Sequence, residues 1–265
     1  MKQILSILLL LLYCGTMQAQ PSVRSYNKAV KLAKKGNYAK ASHFFTRAIE
    51  QDNNFIEAYF NRGICRSRLK DFHAAITDFN KAISLRPEFP MAYVNRGSDK
   101  MELNDLEGAI ADYSAAIRLK KDYAMAYYNR GNMYFKLGNY HAAMLEFTEA
   151  IHYSPGMIDA FYNRALSHSM LNDLTACISD LTAVIKDSPG FFKAYLKRGI
   201  AKQALQDFTG AVQDYLKALE LQPGSCEVYA PLNEAMARID HHKQAEIALS
   251  SVRKQCDPAL ATKNK

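Results

Sequence analysis

The 265-residue sequence contains no tryptophan and is poor in the residues that break helices, with 12 glycines and 8 prolines. This scarcity excludes collagen-like and linker-rich chains and favours long helices. Apolar residues make up 49% and charged residues 23% of the chain, which excludes disorder throughout. The 16 tyrosines and 13 phenylalanines must supply the aromatic packing. The composition therefore predicts a soluble, folded and mainly helical protein.

Motifs that carry enzyme chemistry are also missing. The sequence has no Gly-rich phosphate-binding loop and no Gly-x-Ser-x-Gly elbow. His241 and His242 are adjacent, so on a helix they face different directions and do not make a metal site. The sequence therefore predicts no enzyme, no cofactor and no metal site.

The composition of residues 1–19 predicts a secretory signal peptide. A basic start precedes an apolar run at 4–14, and a small, polar stretch then leads to Ala19 as the last residue before cleavage. The run is shorter than the ~20 apolar residues that a membrane-spanning helix needs. Export would place the protein in the periplasm or outside the cell. Lipid anchoring would require Cys14, but Tyr13 stands where a small residue is expected, so anchoring is disfavoured.

A 34-residue repeat accounts for the rest of the chain. The segments AYFNRG, AYVNRG, AYYNRG, AFYNRA and AYLKRG recur at intervals of 34 without insertion. Residues 20–225 hold six copies when Ser22 is position 1, residues 226–259 form a degenerate seventh copy or C-terminal cap, and 260–265 form a tail. The six copies are 22–55, 56–89, 90–123, 124–157, 158–191 and 192–225.

Each copy predicts two antiparallel helices. Apolar residues recur at helical spacing in positions 1–14 and 17–31, and Asn or Asp at position 16 can cap the second helix. Small residues at positions 8, 20 and 27 let the helices approach, and large ones at 4 and 24 fill the gaps between them. This pattern resembles the tetratricopeptide repeat family. The resemblance implies an all-α, right-handed superhelical solenoid of antiparallel helix pairs that binds a peptide or helix of a partner protein in a concave groove.

Five copies depart from the family pattern at position 7, where arginine replaces the common leucine. The same five copies have an acid at position 23, and the first copy lacks both, with Lys28 and Phe44. Because the two columns appear and disappear together, they predict structural ion pairs. The pairs are Arg62 with Asp78, Arg96 with Asp112, Arg130 with Glu146, Arg164 with Asp180, and Arg198 with Asp214. An arginine row that binds anions is the alternative.

The resemblance places positions 2, 5, 6, 9, 12 and 13 on the concave face, where asparagine recurs at position 6. Asparagine offers donors and acceptors to an extended peptide, and tyrosine offers apolar contact. The candidate groove residues are Asn61, Asn95, Asn129 and Asn163 with Tyr128 and Tyr162. Bracing of neighbouring helices is the alternative role for these asparagines.

One register resembles the carboxylate clamp of chaperone-binding family members, which hold a peptide's terminal carboxylate with Lys, Asn, Asn, Lys and Arg. The corresponding residues here are Tyr128, Asn132, Asn163, Lys193 and Lys197. Tyrosine replaces the first lysine and lysine replaces the arginine, so the clamp is partial.

The formal charge of +8 is concentrated in the first copy, where Lys31, Lys34 and Lys35 form a basic patch. Nucleic acid is disfavoured as a partner because the chain carries an export signal. The sequence predicts an exported scaffold for protein–protein interaction, and a cell-envelope assembly or secretion complex is its expected setting. The alternative is a binder of an anionic glycan or lipid surface, in peripheral contact with the envelope, through this patch.

Two cysteines lie at the ends of the seventh copy. Cys226 and Cys256 occupy positions 1 and 31, which are close together in an antiparallel hairpin, so they predict a disulfide in an oxidising compartment. Cys65 and Cys177 occupy helix-packing positions and are expected to be inert thiols. Pro231 is expected to interrupt the first helix of this copy.

Overall fold

The structure, a computed structural model, describes residues 21–239 together with Ile247 and Cys256. The predicted signal peptide at 1–19, the histidine pair at 241–242 and the tail at 260–265 lie outside the described residues. The described part of the chain contains thirteen α-helices and no strand, which confirms the predicted all-α fold class. None of these helices is both long and apolar enough to cross a lipid bilayer.

The chain divides into two units, residues 1–121 and 122–265. The first unit contains three antiparallel helix pairs: α1 (Pro21–Lys34) with α2 (Tyr38–Gln51), α3 (Ile56–Arg68) with α4 (Phe72–Leu85), and α5 (Pro90–Glu102) with α6 (Leu106–Leu119). The second unit contains α7 (Ala124–Lys136) with α8 (Tyr140–Tyr153), α9 (Ile158–Met170) with α10 (Leu174–Asp187), α11 (Phe192–Ala204) with α12 (Phe208–Leu221), and α13 (Cys226–Met236). In each pair, the first helix ends at position 13 of a copy and the second spans positions 17–30, one residue short of the predicted ends at 14 and 31.

A tight turn and a side-chain cap join the two helices of each pair. The residue at position 15 is left-handed in all six copies, with φ of 61–76°, although only Gly36 and Gly138 are glycines. The side chain at position 16 accepts a hydrogen bond from the backbone N–H three residues later at Asn37, Asp105, Asn139, Asp173 and Asp207. Asp71 occupies the same position without such a bond.

Close packing of the two helices depends on glycine at position 8. A Cβ atom at this position would lie 2.6–2.9 Å from the aromatic ring at position 24 in four copies: Gly63 with Phe79, Gly97 with Tyr113, Gly131 with Phe147, and Gly199 with Tyr215. The fifth copy has Ala165 and the smaller Leu181. The first copy has Ala29 together with Phe45, so an alanine at position 8 is also compatible with a phenylalanine at position 24 in that copy.

Gly131→Ala is expected to destabilise the second unit by about 1–3 kcal/mol, because the new Cβ overlaps the Phe147 ring. Urea unfolding followed by circular dichroism measures the loss. The loss should shrink in a Phe147→Leu background, which reproduces the pairing of the fifth copy. Gly156→Ala is the control, since nothing lies within 4 Å of its new Cβ. Equal losses for the two alanine variants would contradict the packing argument.

Pro231 does not interrupt the first helix of the seventh copy, contrary to the expectation from sequence. It lies inside α13, which runs from Cys226 to Met236. A proline lacks only its own backbone N–H, and the neighbouring residues keep theirs for helical hydrogen bonds. At the sixth residue of α13, proline therefore costs a single hydrogen bond and the helix continues.

Candidate functional site

The arginine at position 7 contacts the acid at position 23 in five helix pairs. In four of them the guanidinium donates from Nε and Nη2 to the two oxygens of one aspartate, at 2.5–3.0 Å. Arg130 donates from Nη2 to both carboxylate oxygens of Glu146, at 2.7 and 2.9 Å. The four aspartates are buried. These donors are therefore engaged inside the protein.

The position-7 arginines also donate hydrogen bonds to the residue at position 25 of the preceding copy. Sequence reasoning missed this contact. The Nη1 atom donates to Thr46 from Arg62, to Asn80 from Arg96, to Thr148 from Arg164 and to Thr182 from Arg198, at 2.7–3.2 Å. Each of these arginines thus joins three helices and fixes one pair against the next. The sequence does contain a sign of this contact. The seventh copy has Leu232 in place of the arginine, and position 25 of the copy before it is then also apolar, Leu216.

A second cation at position 11 supports three of the acids. Arg66, Lys100 and Lys202 approach Asp78, Asp112 and Asp214 to 2.8–2.9 Å. The fourth copy has Tyr134 at this position. Burial there raises the pKa of Glu146 above its usual value, and the charge and hydrogen bonds of Arg130 oppose the shift.

Three of the five clamp residues meet on the second unit's first-helix face, the surface of α7, α9 and α11. The amide of Asn163 donates to the Tyr128 hydroxyl at 3.2 Å and to Oδ1 of Asn132 at 2.9 Å. Both amide hydrogens are used, so the oxygen of Asn163 is the group left for a ligand. Lys193 and Lys197 are exposed on α11.

An open cavity of about 270 Å³ lies on the same face. Its lining includes Phe135, Leu166, Met170, Cys177, Lys197 and Ile200. Met170 and Ile200, which both line the cavity, are 55% and 41% exposed and so leave apolar surface open to a ligand. Tyr162 does not line this cavity; its ring packs 5.0 Å from that of Phe191. The cavity combines an apolar wall with one cation.

The four asparagines at position 6 are of two kinds, which differ in the residue at position 5 of the preceding copy. Asn61 donates to the Tyr26 hydroxyl at 2.9 Å. The two residues are 35 apart in sequence, as are Asn163 and Tyr128. These two asparagines therefore brace neighbouring helices, and they also retain an acceptor oxygen.

The other two asparagines have no such tyrosine, because Phe60 and Val94 occupy the preceding position 5. Asn95 donates to the carbonyl oxygen of Met91 at 2.7 Å, within its own helix. Asn129 is partly exposed on α7. The identity of position 5 is a signal in the sequence that separates bracing asparagines from the others.

Asp99 is a buried carboxylate that sequence reasoning did not single out. It lies at position 10 of α5, where the neighbouring copies have Cys65 and Met133, and it is 4% exposed. Its Oδ2 accepts a hydrogen bond from the Ser67 hydroxyl at 2.6 Å. Burial raises the pKa of Asp99 to about 6, the Ser67 hydrogen bond opposes this, and the charge of Glu102 adds to it.

The pKa of Asp99 predicts a pH-dependent stability. The folded chain holds this proton more tightly than the unfolded chain, so the contribution of Asp99 to stability is greatest below about pH 4 and is lost as the pH rises from about 4 to about 6. The stability of Asp99→Asn relative to wild type should therefore increase by roughly 2 kcal/mol between pH 4 and pH 7. Urea unfolding across this range measures it, with Glu107→Gln as an exposed control. A difference that does not change with pH would contradict the assignment.

The basic patch of the first copy is exposed at all three lysines, Lys31, Lys34 and Lys35. Lys28, which stands in place of the position-7 arginine, has its Nζ 4.2 Å from the centre of the Phe44 ring. A cation–π contact thus occupies the place of the ion pair in this copy.

A disulfide joins Cys226 and Cys256, with an S–S distance of 2.04 Å and a Cα–Cα distance of 5.2 Å. Cys65 and Cys177 are free and buried. Burial raises the pKa of each of these thiols to about 11, so they carry little thiolate at neutral pH.

Family models match four segments of the chain. Models described as tetratricopeptide repeat match residues 56–89, 124–157 and 192–225, and one described as TPR repeat matches residues 97–138. No curated protein matches the sequence.

Solved structures of similar fold cover most of the chain. The C-terminal part of a TPR repeat-containing protein from Cytophaga hutchinsonii has a TM-score of 0.73 at 22% identity, covering 88% of this chain and 95% of that one. A tetratricopeptide repeat protein from Parabacteroides merdae has a TM-score of 0.66 at 18% identity, covering 88% and 99%. YrrB, described as a TPR protein with an unusual peptide-binding site, has a TM-score of 0.62 at 21% identity, covering 69% and 95%. At these identities the likeness concerns the fold.

Proposed function

Because this chain carries tetratricopeptide repeats, we propose that it is a scaffold that binds a segment of a partner protein, a peptide or a helix, in a concave groove. The observation that carries the proposal is the cavity on the second unit's first-helix face. Exposed Met170 and Ile200 offer apolar contact there and Lys197 offers a charge. Asn163, outside this lining but on the same face, offers an acceptor. The binding of a peptide by YrrB, which has a similar fold, is consistent with this role. The chain acts in this proposal by binding and not by catalysis.

Photo-crosslinking tests this function in cells of the source organism. Benzoylphenylalanine replaces Met170, on the first-helix face, or Leu145, which is 51% exposed on α8. Adducts with another protein are expected from position 170 and not from position 145. Adducts from both positions in equal yield, or from neither, would contradict the proposed surface.

A terminal carboxylate is one ligand group that the second unit can hold. Lys193 and Lys197 supply two exposed cations on α11, and Tyr128, Asn132 and Asn163 form a hydrogen-bonded cluster on α7 and α9 of the same unit. A carboxylate-ended peptide should bind more weakly to the Lys193→Ala/Lys197→Ala variant than to the wild type. The same peptide with a C-terminal amide should bind equally to both proteins. Unchanged binding of the carboxylate-ended peptide would exclude the clamp.

We further propose that the chain is exported through residues 1–19 and works in the periplasm or outside the cell, in an envelope assembly or secretion complex. The apolar run and Ala19 support this proposal. The intact mass of the protein from fractionated cells tests it. A mass that begins at Gln20 in an extracytoplasmic fraction is expected, and an unprocessed chain in the cytoplasm would refute export.

A second candidate function is binding of an anionic glycan or lipid surface through the first copy. It rests on Lys31, Lys34 and Lys35, which are exposed and form no ion pair within the described residues. Binding to vesicles that contain anionic lipid should fall with salt and disappear in the Lys31→Glu/Lys34→Glu/Lys35→Glu variant. Binding that this variant retains would exclude the patch.

A further inference from the structure

Asp99 differs from the other buried aspartates in the way its charge is compensated. Asp78, Asp112, Asp180 and Asp214 each receive two hydrogen bonds from an arginine. Asp99 is 4% exposed, and within residues 21–239 no cation lies at ion-pair distance from it. Its hydrogen bond comes from the Ser67 hydroxyl. A buried carboxylate without a cation is costly, which calls for an explanation at this position.

The cations nearest to Asp99 in the sequence are committed to other acids. Lys100 pairs with Asp112 at 2.9 Å, and Arg66, beside Ser67, pairs with Asp78 at 2.8 Å. Glu102 lies one turn along α5 and adds a second negative charge near Asp99. Glu102 is exposed, so the buried charge of this site is that of Asp99.

Asp99 lines a cavity of about 430 Å³ on the first unit's first-helix face, between α3 and α5. This volume falls within the range of about 300–1,000 Å³ that is common for ligand sites. Ser67, Asn95 and Ser98 provide further polar groups, and Ile64 and Phe72 provide apolar wall. Arg68 and Lys70 also contribute to the lining, but both are exposed, so water and salt screen their charge.

A buried carboxylate in a cavity whose wall is partly apolar suits a long aliphatic stem that ends in a cation. Arginine and lysine side chains have this form. We propose that the Asp99 cavity binds the basic side chain of a partner segment that lies along the first unit, with Asp99 and Glu102 neutralising its charge. This assignment rests on the proposed function of the chain and names the side-chain chemistry that the first unit selects.

A peptide set with one varied position tests this proposal. The peptides are degenerate heptamers, acetylated and amidated, whose central residue is in turn arginine, lysine, citrulline, norleucine or glutamate. They are measured by fluorescence anisotropy against the full-length chain, Asp99→Asn and the control Glu107→Gln. Asn keeps the size of the side chain and a hydrogen bond to Ser67 but removes the charge. Free arginine amide is included to separate a side chain within a peptide from a small cation.

The arginine and lysine peptides should bind at least about tenfold more tightly than the citrulline and norleucine peptides, as expected for a buried charge-assisted hydrogen bond. Asp99→Asn should remove this preference and leave citrulline binding unchanged, while Glu107→Gln should keep it. Peptide binding without a basic preference, or a preference that survives in Asp99→Asn, would overturn the inference and leave the scaffold function standing. Arginine amide that binds as tightly as the peptides would assign the cavity to a small cation instead. Failure of every peptide to bind would count against both proposals.

Discussion

Arg164→Leu is expected to lower the free energy of unfolding by about 3–5 kcal/mol, the range seen when one partner of a buried ion pair is removed. The Asp180 side chain is 8% exposed, and without the guanidinium the one cationic partner left to it among the described residues is His168, at 4.0 Å. Leucine also removes the hydrogen bond to Thr148 that links α9 to α8. Urea unfolding of the full-length chain measures the loss.

Two further variants make this result interpretable. Arg164→Leu/Asp180→Leu should recover most of the stability, because well-packed apolar residues often replace a buried ion pair without loss. Arg86→Leu breaks an ion pair with Glu57 in which both side chains are more than 40% exposed, so it should cost at most about 1 kcal/mol. If Arg164→Leu costs no more than Arg86→Leu, the position-7 arginines do not hold the helix pairs together.

Loss of the disulfide is the second large effect that we expect. The bond joins residues 30 apart in sequence, and closing a loop of that length restricts the unfolded chain by about 3–4 kcal/mol. The Cys226→Ala/Cys256→Ala variant should therefore lose about this much stability in the second unit. Dithiothreitol should cause the same loss in the wild type and none in the double variant.

Cys65→Ala provides the matched control, since Cys65 is a free, buried thiol. This variant should still lose stability when reductant is added. A thiol titration of the unfolded chain should find two more thiols after reduction than before. An unchanged count, or equal stability with and without reductant, would show that the bond does not form in solution.

The features that repeat every 34 residues were accessible from the sequence because each of them is sampled several times. Asn or Asp at position 16 and glycine at position 8 recur in most copies, so their packing roles can be inferred from the columns. The left-handed turn at position 15 is a partial exception. Lys70 and Gln206 adopt it although neither residue type favours it, and the register alone identifies them.

Contacts between consecutive copies were harder to infer. The bond from Arg164 to Thr148 joins position 7 of one copy to position 25 of the copy before it, whereas pairing of columns within a copy finds only the acid. The same applies to Tyr128 and Asn163, whose positions 5 and 6 belong to different copies. Comparing each position of one copy with the positions of the copy before it would have found both contacts.

Asp99 shows a second limit of sequence reasoning. Position 10 holds Lys31 in the first copy and small or apolar residues in the other copies, so periodicity treats Asp99 as an ordinary exception. Its burial, its position beside Ser67 and its place in a cavity depend on how α3 and α5 pack, and only the structure supplies these. The cavity beside Lys197 is a partial case. The resemblance places Met170 and Ile200 on the first-helix face, at positions 13 and 9, but their exposure and the cavity between the helices come from the structure.

The central claim is that the second unit's first-helix face binds a partner protein. Quantitative affinity capture tests this claim most directly. Wild type, Met170→Glu/Ile200→Glu and Leu145→Glu are each used as bait against extracts of the source cell, and bound proteins are quantified by mass spectrometry. Met170 and Leu145 are similarly exposed, at 55% and 51%, but they lie on the first and second helices of their pairs. The account predicts that the double variant loses at least about 90% of a partner that Leu145→Glu retains, which corresponds to a tenfold loss of affinity. Equal retention by both variants would contradict it.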